Sequence, residues 1–139
     1  STLQNPSHIY SSAGTYTVSL TATNAGGFDT EIKIGYITVS TPVPVANFTG
    51  VPTSGVFPLT VNFTDTSTNI PTSWLWDFGD PASGPLNTST LQNPSHIYSS
   101  AGTYTVTLTA TNAGGFDTEI KIDYIFAGII KADFHILPL

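Results

Sequence analysis

Hydrophobic and polar residues alternate with a period of two along much of the chain. From Thr103 to Thr111, Tyr104, Val106, Leu108 and Ala110 point one way, while Thr103, Thr105, Thr107, Thr109 and Thr111 point the other. Successive side chains of a strand leave on opposite faces, so this run reads as a half-buried strand with a threonine-covered outer face. Asn112-Ala113-Gly114-Gly115 is a turn signal. Beyond it Phe116, Thr118, Ile120 and Ile122 alternate with Asp117, Glu119 and Lys121, giving the second arm of a hairpin. Upstream, Leu59, Val61 and Phe63 alternate with Thr60, Asn62 and Thr64, and Ala46 and Phe48 open a shorter strand. Trp74, Trp76 and Phe78 share one strand face, with Leu75 and Asp77 on the other. Gly79 to Pro94 is rich in Pro, Gly, Ser, Thr and Asn and reads as a long loop. No segment carries a helical period. About seven short strands with turn signals between them predict an all-β, two-sheet sandwich.

The pattern occurs twice. Ser1 to Ile34 repeats as Ser89 to Ile122 with a single change, Ser19 to Thr107, at an offset of 88 residues. That period is the size of one small domain, so the chain reads as a stretch of a tandem array. Residues 1–40 are expected to be the C-terminal half of a repeat, and residues 45–126 a complete domain. Thr41-Pro42-Val43-Pro44 is the linker, stiffened by its prolines. Ala132-Asp133-Phe134 aligns with Ala46-Asn47-Phe48, so residues 127–139 read as a second linker and the first strand of a further repeat.

Composition narrows the functional classes. Charged residues are only 9%, against about 25% in ordinary soluble domains. Thr, Ser and Asn solvate the surface instead, which fits an extracellular β protein. The basic residues are Lys33, Lys121 and Lys131, and the net charge is −6. Such a surface repels phosphate backbones and excludes nucleic acid as a partner. The chain has no cysteine, which removes thiolate metal sites and cysteine nucleophiles. No apolar run reaches the roughly 18 residues of a membrane span, so no membrane insertion is expected in this segment. Any targeting signal or anchor is expected outside it.

Val45-Ala46-Asn47-Phe48, Trp74-Leu75-Trp76-Asp77-Phe78-Gly79-Asp80, Asn93-Pro94-Ser95-His96-Ile97-Tyr98 and Ala101-Gly102-Thr103-Tyr104-Thr105-Val106 occur in order. Together they resemble a PKD (polycystic kidney disease) domain, in the style of tandem copies in archaeal and bacterial surface-layer and secreted proteins. The resemblance covers Val45 to Phe126 in full and Ser1 to Val39 in part. It implies an immunoglobulin-like β-sandwich, extracellular placement, and a role in cell-surface architecture or as an accessory of secreted hydrolases. One departure is Pro81, where the family usually has Gly after the second Asp. Trp76 and Phe78 are expected in the core, and Gly102-Thr103-Tyr104 resembles a tyrosine corner.

Few residues suggest chemistry. Asp77 and Asp80, with Asp65, are the candidates for a cation site; the competing reading is carboxylates that accept backbone hydrogen bonds in a turn. His8, His96 and His135 are scattered, and His96 reads as a structural side chain bonded to a loop. Trp74 is either a sugar-stacking platform or core edge, and its position beside Trp76 favours the core. Asn47, Asn62 and Asn87 head acceptor sequons for glycosylation. Nothing resembles a nucleophile elbow or a paired-carboxylate cleft, so neither an enzyme nor a cofactor is expected.

The half-repeat poses a stability problem. Its hairpin lacks the strands that would cover Tyr16, Val18, Leu20, Ile32 and Ile34, and an uncovered apolar face invites pairing. One solution is strand addition, with Ile129, Ile130, Phe134, Ile136 and Leu137 of the tail docking on Tyr16, Val18 and Leu20 of the next subunit. The other is covalent continuity in a longer array. The leading expectation is therefore a non-enzymatic structural module of a cell-surface layer, sheath or filament, with itself and cell-wall polysaccharide as partners. The alternative is a substrate-binding or spacer module of a secreted hydrolase or adhesin, a calcium-stiffened spacer included.

Overall fold

The computed structural model describes residues 1–129 of the chain. It divides into two compact units, Ser1–Pro42 and a larger one that begins at Val43. The Val43 carbonyl accepts a hydrogen bond from Asn69 Nδ2 (2.8 Å) and Pro44 is fully buried, so the last two residues of the Pro-rich stretch are held in place.

The first unit is a single antiparallel hairpin of β1 (Gly14–Asn24) and β2 (Gly27–Val39). Its turn closes where the Asn24 carboxamide accepts the Gly26 N–H at 2.8 Å. Directly opposed residues share a face. Val18 pairs with Lys33, Leu20 with Glu31, and Ser19 with Ile32. Tyr16, Val18 and Leu20 therefore lie on the face opposite Ile32 and Ile34. This corrects the expectation that all five share one uncovered surface.

The second unit is a two-sheet sandwich. Its strands are β3 (Phe48–Val51), β4 (Ser54–Gly55), β5 (Leu59–Asp65), β6 (Ser73–Asp77), β7 (Thr88–Ser89), β8 (Ser95–Tyr98), β9 (Gly102–Asn112) and β10 (Gly115–Ala127). One sheet has the order β4-β10-β9-β6-β7, and the other β3-β5-β8. Phe48, Val61 and Phe63 from the small sheet meet Trp76, Val106, Leu108 and Ile125 from the large one, with Tyr98 of β8 and Phe78 completing the core. Each such side chain contributes about 1.5–3 kcal/mol by leaving water. The aromatic rings interlock, Phe48 edge-on to Trp76 at 5.1 Å and Phe63 stacked on Phe78 at 5.2 Å. Tyr104 Oη donates to the Ser100 carbonyl at 2.7 Å, the tyrosine corner the sequence resembles.

Two elements differ from the sequence reading. Within the expected loop from Gly79 to Pro94, residues Pro81–Asn87 form 3₁₀ turns broken at Gly84 (φ 61), and β7 then pairs with Trp76 and Asp77. Pro81 supplies a helical φ at the start, and the Asp80 carbonyl accepts both the Ser83 N–H (2.9 Å) and its hydroxyl (2.7 Å). The second difference is the polarity of β10. Lys121 pairs with Val106 and Ile120 with Thr107, so the charged residues face the sandwich while Phe116, Ile120 and Ile122 face solvent. The inward charges sit at the sheet margin and are satisfied there. Asp117 Oδ2 accepts the Ala46 N–H at 2.8 Å, and Lys121 lies over the rings of Phe48 and Tyr124. Inward-pointing charges of this kind also guard a sheet edge against unwanted pairing. A bulge between Lys121 and Ile125 holds Asp123 at φ 53, and its counterpart in β2, Gly35, has φ 61.

Candidate functional site

Two surfaces of the chain have the character of sites: a cleft beside the Trp-Asp-Phe-Gly-Asp loop, and the uncovered face of the first hairpin.

The cleft measures about 610 Å³. It lies where β7 and β8, the end strands of the two sheets, leave a seam that the 3₁₀ turns overhang. Leu86, Leu91 and Ile97 line it and are exposed; Phe78 and His96 form the buried floor. His96 Nε2 lies 3.0 Å from Asp80 Oδ2, and both residues are buried. The imidazole stacks on Phe78 (4.5 Å, 15°) and meets Tyr98 edge-on. Tyr98 Oη donates to the Phe78 carbonyl at 2.9 Å. Burial, with the Asp80 carboxylate adding to it, pushes the Tyr98 phenol well above its ordinary range. Burial also raises Tyr104.

Asn87 ties the loop together. Its Oδ1 accepts the Asp80 N–H at 2.6 Å and its Nδ2 donates to Asp77 Oδ1 at 3.1 Å. Asp77 Oδ1 also accepts the Gly79 N–H at 2.8 Å. Gly79 is required at this point, because its φ is +70 and a Cβ there would overlap the Thr105 carbonyl oxygen. The Asp77 carboxylate is thus taken up by the loop itself, whereas the Asp80 carboxylate reaches across to His96 on β8. Asp65 stands apart: its Oδ2 accepts Trp74 Nε1 (2.7 Å) and Gln92 Nε2 (3.2 Å), and its Oδ1 the Ser67 N–H (3.0 Å). Burial disfavours its charge, but these hydrogen bonds outweigh it and hold the carboxyl below its usual range. Among the described residues no group of three or more His, Cys, Asp or Glu could hold a metal ion. Trp74 packs partly buried against the core, with its indole N–H committed to Asp65.

The sequon asparagines are in three different settings. Asn47 is exposed at the start of the small sheet and its Oδ1 accepts the Phe48 N–H; Asn62 is exposed on β5. Asn87 is half-buried in the loop just described. His8 is exposed and meets Tyr10 edge-on at 4.7 Å.

The second surface is the face of β1. Val18 is 37% and Leu20 66% exposed, whereas Val106 and Leu108, their counterparts in β9, are 0% exposed. Tyr16 is half-buried, its Oη bonded to the Ser12 carbonyl at 2.7 Å as Tyr104 is to Ser100. Of the expected donor residues, Ile129 is exposed, while Ile130, Phe134, Ile136 and Leu137 lie outside the described residues, as does His135. The complete domain argues against their docking as a first strand. β3, the strand with which the tail aligns, takes its ladder from β5, and no counterpart of β5 is present in residues 1–42. A first-strand donor alone has no ladder to join there.

A paired-sheet sandwich with a tyrosine corner and a buried tryptophan is an immunoglobulin-like β-sandwich. The chain belongs to the PKD domain family, which it matches over residues 1–39 and 40–127. It is 34% identical over 96 residues to the pre-pro-metalloprotease PrtV of Vibrio cholerae, an alignment covering 66% of this chain and 10% of that protein. The crystal structure of the PKD1 domain of that metalloprotease superposes with a TM-score of 0.50 at 34% identity, covering 63% of this chain and all of that one. A structure of carbohydrate-binding modules of the β-sandwich superfamily, described as promiscuous in specificity, superposes at 0.53 with 28% identity, covering 64% of this chain and 36% of that one. The chain spans about a tenth of the length of the curated metalloprotease it matches. No helix among the described residues is long and apolar enough to cross a membrane.

Proposed function

We infer that the chain is a non-catalytic, extracellular spacer and substrate-contacting module of a larger secreted hydrolase or adhesin. The observation that carries this reading is the path of the chain through the complete domain. Ala46 is bonded to Asp117 near the start of β10, and Gly128 to Gly55 just past its end. The chain enters at one end of β10 and leaves at the other. At about 3.3 Å per residue, a strand of this length carries the chain on by about 40 Å. Repeats in series therefore extend a protein and hold a neighbouring domain away from its anchor. The relatives among metalloproteases and carbohydrate-binding modules weigh toward this reading and away from a wall layer or sheath. The cleft walled by Leu86, Leu91 and Ile97 is the surface offered to substrate.

Two measurements test the reading. Electron microscopy of the purified chain is expected to show separate particles; regular fibres or sheets would return it to a structural layer. Cosedimentation with insoluble polysaccharide and insoluble protein tests the contact surface. Retention that Leu91→Asp abolishes supports substrate contact through the cleft; a chain that stays in the supernatant with every substrate is a spacer alone.

A further inference from the structure

We propose that the Tyr16–Val18–Leu20 face of the first hairpin is a docking site for one partner: a polypeptide segment with the sequence of Val45–Thr88. This proposal does not depend on whether the module contacts substrate. Its basis is a comparison the molecule makes with itself. β1 and β2 up to Ile34 repeat β9 and the start of β10 with one change, yet one hairpin is bare and the other closed. What closes the second hairpin is the segment from Val45 to Thr88, which supplies β3, β5 and β6.

The bare hairpin already has the bound geometry. Thr21 and Thr30 hydroxyls meet at 2.8 Å across the strands, and Thr109 and Thr118 at 2.9 Å. The Gly35 N–H reaches Thr17 Oγ1 at 3.3 Å, and the Asp123 N–H reaches Thr105 Oγ1 at 3.1 Å. No rearrangement of the hairpin is needed before docking, so little ordering cost falls on that side.

The recognition groups are retained as well. In the closed hairpin, Asp117 accepts the Ala46 N–H, Tyr124 Oη accepts the Gly50 N–H, Asn112 Nδ2 donates to the Asn69 carbonyl, and Lys121 covers Phe48. The corresponding positions of the bare hairpin are Asp29, Tyr36, Asn24 and Lys33, identical in type. One inward position differs. Val39 stands where the complete domain has the fully buried Ala127, so the docked segment must make room for two more methyl groups. The chain's own Val45–Thr88 segment is closed by β9 and β10 and cannot serve both hairpins, so the occupant is a further copy of that segment.

The experiment uses the full chain, methyl-labelled, with a synthetic Val45–Thr88 peptide. Because the two hairpins share their sequence, the complete domain supplies the reference signals. The expected result is that the Val18 and Leu20 methyl resonances move to the positions of Val106 and Leu108 and saturate at one peptide per chain. Leu20→Asp should abolish the movement and leave Val106 and Leu108 unchanged, and Val39→Ala should lower the peptide concentration needed. Where the free peptide precipitates, the same reading is made on a chain with Val45–Thr88 joined ahead of Ser1. Val18 and Leu20 resonances that stay in place in the soluble titration or in the joined chain overturn the proposal. Movement with rising chain concentration and no peptide would also overturn it, since the face would then be closing on another hairpin.

Discussion

His96 Nε2 sits 3.0 Å from Asp80 Oδ2 inside the second unit, and the pair fastens β8 to the loop that leaves β6. The Phe78 ring covers one face of the imidazole. Replacing Asp80 by Ala leaves a buried ring nitrogen without its partner, while the backbone N–H of residue 80 keeps its bond to Asn87 Oδ1. The expected loss is about 2 kcal/mol, the cost of an unsatisfied buried polar group. Urea unfolding followed by tryptophan fluorescence reads this cleanly, because Trp74 and Trp76 both belong to the second unit. An unchanged midpoint would mean the pair contributes nothing to the fold.

Leu20 and Leu108 form a natural pair of controls, with the same neighbours in sequence except that Ser19 before the one is Thr107 before the other, and with opposite burial. Leu108→Ala should cost about 2–5 kcal/mol through lost burial and the cavity left behind. Leu20→Ala, on a bare face, should change stability by less than about 0.5 kcal/mol. Equal effects in the two copies would show that the hairpin face is covered in solution.

Gly79 tests the loop geometry. Its φ of +70 and the Thr105 carbonyl beside it leave no space for a methyl group. Gly79→Ala should therefore destabilise the second unit by about 3 kcal/mol or more, combining backbone strain with a clash against a rigid strand. Thermal unfolding monitored by near-ultraviolet circular dichroism would report it. A wild-type midpoint would place the β6 exit elsewhere.

Asp123 and Gly35 hold the same bulge in the two hairpins at φ 53 and 61. A β-branched side chain is strained there, whereas glycine is not. Asp123→Val should cost about 1–2 kcal/mol, and Asp123→Gly should stay within about 0.5 kcal/mol of the parent. Matching urea midpoints for Asp123→Val and the parent would refute the strain.

The sandwich was legible because period-two alternation and turn signals are local properties. Tyr104, Val106, Leu108 and Ala110 declared β9 without any knowledge of what lay above them. The same alternation misled at β10, since it identifies two faces but not which one meets the core. Hydropathy placed Ile32 and Ile34, the counterparts of Ile120 and Ile122, among the residues to be covered, yet register pairs Lys121 with Val106. A long lysine stem laid over Phe48 and Tyr124 does the covering that an isoleucine was expected to do. The Asp77 turn was readable from Asx chemistry. The His96–Asp80 contact was not, because the two residues are brought together only when β8 and the loop after β6 meet across the seam. Asn87 was visible as a sequon, but its role in bonding Asp77 and Asp80 depends on the 3₁₀ turns, which carry no periodic signal.

The pH dependence of stability should be bounded at both ends by residues of the second unit. In the folded state hydrogen bonds to Ser67, Gln92 and Trp74 outweigh burial and hold Asp65 below its ordinary value of 3.8. The folded carboxyl then binds its proton less readily than the unfolded one. Its contribution is fully present above that value and is lost as the pH falls below it. Tyr98 acts with the opposite sign. Burial, helped by Asp80, raises its phenol above the ordinary 10.0, so the folded state keeps a proton that the unfolded state gives up. That contribution is fully present below pH 10.0 and declines as the pH climbs toward the raised folded value. Urea midpoints measured across the acid and alkaline ranges should therefore fall at both extremes. Asp65→Asn should flatten the acid limb only, and Tyr98→Phe the alkaline limb only, each from a lower plateau because a hydrogen bond is lost. Limbs that keep their slopes in these variants would assign the pH dependence to other groups.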